Sequence, residues 1–213
     1  MTESIPRRVD LTAPANYRIL RAVLTAGTPF SQLEVARASN TAPSHVSTVV
    51  RWLQLHQHVV RRNEDGRYEV SQPEGLIVSM LPYQRTMSRA LLRTVKTPGR
   101  AEAVRDWLSK EGATLCLESA LEQYSGFFRG DRIAVYHPKP RALLDKISSR
   151  GEGLLPVAVY RPDIPLDGDQ VFSDEVGGMK RTSKFRTLVD LVCDNRAYAA
   201  KDLFADLWGV HIG

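Results

Sequence analysis

Apolar positions recur at helical spacing along the amino-terminal part of the chain, then give way to a short alternating stretch. From Pro14 onward Ile19, Leu20, Val23 and Leu24 fall on one helical face, and Gly27 with Thr28-Pro29 ends the pattern. Phe30 to Ala38 predicts a second helix, with Leu33, Val35 and Ala36 inward and Ser31 near its start. Ser39 to Pro43 is turn chemistry. A third helix follows, with Ser44 as the expected N-cap, and Val46, Val49, Val50 and Leu53 at i, i+3, i+4 and i+7 form its core stripe. His58 to Arg62 then reads as a strand, Asn63-Glu64-Asp65-Gly66 as a tight turn, and Arg67 to Ser71 as the returning strand. Three helices followed by an arginine-bearing hairpin, in that order, describe a winged helix-turn-helix.

The polar positions of the third helix share the period of the apolar ones. Ser44, Ser47, Thr48 and Arg51 lie on the face opposite the valines, with His45 beside them. Small hydroxyls and one arginine on an exposed helix suit the edges and phosphates of a major groove. Arg61, Arg62 and Arg67 stand where a wing meets the backbone of double-stranded DNA. Arg7 and Arg8 belong to an arm that either reaches phosphates or is a solvated tail, the latter being favoured. In LHQHVV, His56 and His58 flank Gln57, and with no further ligand at hand they mark a polar helix end, not a metal site.

Beyond a join at Ser71 to Gly75, Leu76, Ile77, Met80 and Leu81 predict a short apolar helix ending before Pro82. Gln84 to Val95 predicts another, carrying Arg85, Arg89, Arg93 and Lys96, a stripe that either tracks a DNA backbone or is a solvated face. After Thr97-Pro98-Gly99 a helix is expected over Ala101 to Lys110, with Val104, Trp107 and Leu108 inward. From Ala113 helices and strands alternate. The expected elements are a helix from Leu115 to Tyr124, a strand over Arg132 to Tyr136, a helix over Arg141 to Ser149, and a strand over Leu155 to Tyr160. Short strands at Val171-Phe172 and Gly178-Met179 follow, then helices over Ser183 to Asp194 and Ala199 to Trp208. The expected fold class is α+β: a winged helix-turn-helix over 1–72, a helical connector over 73–112, and a mixed α/β domain over 113–213.

Charge sharpens this division. The chain carries a formal net charge of +5. Residues 1–72 hold nine Lys/Arg against six Asp/Glu, residues 73–112 seven against four, and residues 113–213 thirteen against fourteen. The basic excess lies in the half with the helix and hairpin, as a polyanionic partner requires. Cys116 and Cys193 sit in apolar patterns without a CxxC or Cys/His cluster and read as reduced buried thiols. The start MTESIPRRVD has no apolar core and no run approaches the ~20 residues of a membrane span, so a cytoplasmic protein without membrane contact is expected.

There is no phosphate-cradling GxxxxGK[ST] and no GxGxxG after a strand. Asp167-Gly168-Asp169 reads as a solvent loop. No acid stands two residues before Lys180, Lys184 or Lys201, and Ser119 lacks a nucleophile-elbow glycine pattern. His137 is a conceivable base with no nucleophile to serve. The expectation is a non-enzymatic protein without cofactor or metal. The alternatives are a nucleic-acid-processing enzyme with an unrecognised active site in the carboxy-terminal domain, and a winged module that binds a protein instead.

Three stretches of the second half carry a family resemblance: Leu117-Glu118-Ser119-Ala120-Leu121, Val135-Tyr136-His137-Pro138, and Phe185-Arg186-Thr187-Leu188-Val189-Asp190-Leu191. In this order they resemble motifs of the AbiEi-like antitoxins of abortive-infection type IV toxin–antitoxin systems, a likeness that with the amino-terminal module spans most of the chain. The connector over 73–112 departs from the simplest members in its length. The resemblance implies an autorepressing DNA-binding regulator whose second domain opposes a cognate nucleotidyltransferase-like toxin. From its balanced charge and lack of a catalytic set, that half is expected to bind a protein or, as a homodimer, a second copy of itself. Physically, Thr187 can cap a helix bearing Leu188, Leu191 and Val192, and Asp190 can pair with Arg186 at i, i+4.

Overall fold

The computed structural model describes residues 9–25, 29–79, 90–125, 129–172 and 178–208. The fold is mixed α+β and divides into two units, Met1–Met80 and Leu81–Gly213. The expected connector is thereby split, its first helix belonging to the first unit and the rest to the second.

The first unit opens with α1 (Pro14–Thr25), α2 (Gln32–Ser39) and α3 (Pro43–Leu55). Ile19, Leu20 and Val23 of α1, Val35 of α2, and Val46, Val50 and Leu53 of α3 are buried together, removing their apolar area from water. Leu33 points outward instead, 52% exposed, because α2 turns only Val35, Ala36 and Ser39 to the core. Ser31 caps α2 in a reciprocal box, accepting from the Glu34 amide while the Glu34 carboxylate accepts from the Ser31 amide. Asn40 ends the helix in the left-handed region at φ 48° and turns the chain into α3. There the cap is Ala42 with Pro43 at the first helical position, not Ser44, because proline's fixed φ starts the helix one residue earlier.

An antiparallel hairpin follows, β1 (Val59–Arg61) with β2 (Tyr68–Val70). Phe30 adds an isolated bridge to it, exchanging both backbone hydrogen bonds with Tyr68 at 2.8 Å. The hairpin is therefore fastened to the segment between α1 and α2. α4 (Pro73–Val78) buries Leu76 and Ile77 and completes the unit. The rest of its expected apolar run, Met80 and Leu81, lies outside the described residues.

The second unit is built on a six-stranded mixed sheet. Its strands are β3 (Leu91–Thr97), β4 (Thr114–Leu115), β5 (Ile133–Tyr136), β6 (Leu155–Tyr160), β7 (Gln170–Phe172) and β8 (Lys180–Thr182), in the order β3-β6-β5-β4-β8-β7. The helix expected over Gln84 to Val95 is corrected where it can be seen: residues 91–97 form a strand antiparallel to β6, and 84–89 fall outside the described residues. Pairing with a strand some sixty residues away overrides the local spacing of basic side chains, and the edge position leaves Arg93 and Lys96 exposed. Likewise Leu115 opens no helix but ends β4, which pairs with β5 and β8. The last short strand falls at Lys180–Thr182 instead of Gly178-Met179.

Helices flank this sheet: α5 (Ala101–Lys110), α6 (Leu117–Leu121), α7 (Pro140–Ser148), α8 (Lys184–Cys193) and, after a 3-10 turn at Ala197–Ala200, α9 (Lys201–Trp208). Ile133, Val135, Val157 and Val159 pack with Val104 and Leu108 of α5 and Leu143 and Ile147 of α7. Strand alternation sends Ala134, Tyr136, Ala158 and Tyr160 to the other face, where Tyr136 meets Arg186 of α8. Ser183, not Thr187, caps α8, accepting from the Arg186 amide at 3.1 Å. Cys116 and Cys193 are free and buried, and burial pushes both thiols up, Cys193 to about 12. Among the described residues no helix is long and apolar enough to cross a membrane.

Candidate nucleic-acid interface and the core of the second unit

On α3 the apolar stripe and the polar face separate cleanly. Val46, Val49, Val50 and Leu53 are buried, while Ser44, Ser47, Thr48 and Arg51 are exposed. Thr48 donates to the Ser44 carbonyl one turn earlier at 3.1 Å, so its hydroxyl lies along the helix. His45 is half-buried and differently employed. Its Nε2 donates to Asn16 Oδ1 at 2.7 Å, tying α3 to the start of α1. Arg18 Nε donates to the Ser39 carbonyl at 3.1 Å and holds α1 against the turn before α3, a role no sequence pattern announced.

The three hairpin arginines do not share one environment. Arg67 donates through Nη2 to Glu34 Oε2 at 2.6 Å, and through both Nε and Nη2 to the Pro29 carbonyl. It fastens the returning strand to the first turn of α2. The hydrogen bond from Arg67 holds the Glu34 carboxyl below the usual carboxylate range, helped by the Ser31 amide. Arg62 pairs with Glu64 at 3.1 Å within the turn, and Asp65 lies 4.0 Å away. Arg61 is exposed, bonded only to the Gly66 carbonyl at 3.3 Å, and has no acid partner among the described residues. Arg61 is thus presented outward and Arg51 is exposed on α3, whereas Arg62 and Arg67 are bonded to acids or carbonyls of the fold.

At the end of α3 the histidines have a structural task. His56 Nδ1 donates to the Trp52 carbonyl at 2.8 Å, and its ring stacks on Trp52 at 4.0 Å between centroids. His58 lies 6.2 Å from His56, and its pKa is lowered by burial and then by that neighbour. These rings close the helix end. Among the described residues no group of three or more His, Cys, Asp or Glu is placed to hold a metal ion.

In the second unit the three motif stretches meet in space. Ser119 of α6 donates to the Arg132 carbonyl at 3.1 Å and accepts from the Ala134 amide at 2.9 Å, stitching the helix to β5. Two residues further along β5, the Tyr136 hydroxyl accepts from Arg186 Nη2 at 3.0 Å. Arg186 is fully buried; its Nε donates to Asp190 Oδ1 at 2.7 Å and its Nη1 to the carbonyls of Ile164 and Pro165 at 2.6 and 2.8 Å. Burial raises Asp190 to about 6 against the opposing pull of Arg186. Glu118, 2% exposed, is held by Arg132 at 3.4 Å and by Arg196, which also pairs with Asp194 at 3.0 Å. These ionic groups face one another and lock elements together. The buried Cys116 thiol lies beside them.

His137 is fixed as well, donating from Nε2 to the Glu111 carbonyl and accepting at Nδ1 from the Lys139 amide, both at 3.0 Å. With both ring nitrogens engaged it has no site left for a substrate proton. The Asp167-Gly168-Asp169 stretch departs from the solvent loop expected: Asp169 is buried, accepting from the Ser183 hydroxyl at 3.3 Å, and its carbonyl accepts from the Ser183 amide. Comparison with family models, curated proteins and solved structures returns no match.

Proposed function

We propose that the chain is a sequence-specific transcription regulator that binds double-stranded DNA through its first unit, used as a winged helix-turn-helix. One observation carries this: α3 buries Val46, Val49, Val50 and Leu53 while exposing Ser44, Ser47, Thr48 and Arg51 along the opposite face. Laid in a major groove, that face offers short hydroxyls to phosphates and base edges and one guanidinium able to fork onto a guanine. The hairpin contributes Arg61 to the phosphate backbone. Arg67 and Arg62 then act chiefly by holding the hairpin in position, and His45 by seating α3 on α1.

The motif resemblance extends the proposal to an autorepressing antitoxin whose second unit opposes a nucleotidyltransferase-like toxin. The three motifs form the load path between α6, β5 and α8, so they supply the frame of that unit and leave its outer faces for a partner. Selection from a random duplex library by the full-length protein tests the proposal. Enrichment of a defined motif, with affinity falling steeply as salt rises, is expected. Recovery of unenriched sequence, or metal-dependent cleavage of the duplex, contradicts it and favours a nucleic-acid-processing enzyme.

A further inference from the structure

A cleft of about 280 Å³ opens in the second unit between the end of β5, the loop after β6 and the start of β8. Pro138, Pro162 and Leu166 supply rigid apolar wall, and the largely buried Tyr136 also borders the cleft. Thr114, Gln170 and Lys180 supply the polar groups. His137 also lines the cleft, with its nitrogens already satisfied as described. No carboxylate is among the described residues that line it. The Thr114 hydroxyl donates to Gln170 Oε1 at 3.5 Å, and the Gln170 amide nitrogen is a further donor. Lys180 has no acid partner among the described residues; its ammonium stands 5.0 Å from the centroid of the Phe172 ring, a contact that leaves the charge in place.

We propose that this cleft binds a small monocarboxylate with a flat apolar body. A single cation beside uncharged donors balances one negative charge, and the proline rings of the wall favour a planar group against them. A phosphate dianion would find one lysine, no arginine and no helix start among the lining residues, leaving half its charge uncompensated. The loop over Ile164 and Pro165 is clamped to Arg186, so the walls are preformed and little ordering opposes binding. The inference stands apart from the DNA-binding proposal, since neither site supplies residues to the other.

The test is amide NMR of the full-length protein titrated with phenylacetate, phenylacetamide and inorganic phosphate. Phenylacetate is expected to shift the amides of Thr114, His137, Gln170 and Lys180 saturably. Phenylacetamide should bind about tenfold more weakly, as should phenylacetate to Lys180→Met. Absence of saturable shifts at those amides overturns the proposal, and so does equal binding of acid and amide. Stronger binding of phosphate overturns the assignment to a carboxylate. If Lys180→Met does not give a folded spectrum, the comparison of acid with amide on the wild-type chain decides alone.

Discussion

Arg67 Nη2 lies 2.6 Å from Glu34 Oε2, so the returning strand of the hairpin is held to the first turn of α2 by a charged bond. The same carboxylate closes the capping box with Ser31. One side chain therefore serves both the helix start and the seating of the hairpin. Arg67 sits where a phosphate contact was expected, and its Nε and Nη2 are committed inside the fold.

A pH dependence follows from that carboxylate. Glu34 is held below its ordinary value in the folded state, so its contribution is in place above the ordinary carboxylate range near about 4 and is lost as pH falls through the lowered value. Glu34→Gln should melt at a lower temperature than wild type at neutral pH, with the gap closing in acid. Parallel thermal melts check this, and a gap that stays constant with pH would show that the charge contributes nothing.

Arg186 and Asp190 form a second, buried relationship. Arg186→Met leaves a carboxyl without its cation in the core and should destabilise by about 3–5 kcal/mol. Replacing both, with Asp190→Leu added, should recover much of that loss because no buried charge then remains. Urea midpoints of the single and double variants decide. A double variant no better than Arg186→Met would mean that the carbonyls of Ile164 and Pro165, not Asp190, carry the effect.

Gly153 marks a close backbone approach. A β-carbon there would stand 2.2 Å from the backbone of Thr97 and Pro98, so Gly153→Ala must displace the end of β3 from the start of β6. The expected cost is at least about 1–3 kcal/mol, read as a lowered denaturant midpoint or lost soluble yield. A midpoint equal to wild type would mean that the two segments separate freely.

The helices of the first unit and the strands β5 and β6 were legible because apolar side chains repeat there at a helical or near-continuous period. The hairpin was legible from its turn residues and flanking valines. Residues 91–97 were not, since Arg89, Arg93 and Lys96 mimic a helical stripe and the strand exists only through pairing with β6. A two-residue strand such as β4 leaves no pattern at all. At the candidate interface the exposed face of α3 was readable from spacing. The separate employment of Arg62 and Arg67 was not, because their partners Glu64 and Glu34 are set by the turn and by tertiary contact. The cleft is not legible in the sequence for a related reason: its residues come from several distant segments.

The hairpin arginines should divide in solution as they do in the structure. Arg61→Ala is expected to lower the slope of log K against log salt by about 0.9, with stability unchanged. Arg67→Ala should lower thermal stability and DNA affinity together. Salt titrations paired with melts separate the two, and an unaltered salt slope in Arg61→Ala would place the hairpin off the DNA.

The most direct measurement compares wild type and Arg51→Ala on the selected duplex, on its single-base variants and on random duplex. Loss of the bidentate contact should erase a preference of about 1–3 kcal/mol at one position while random-duplex binding falls little. Circular dichroism should be unchanged, since Arg51 is exposed. If Arg51→Ala binds every duplex as wild type does, α3 does not read the sequence.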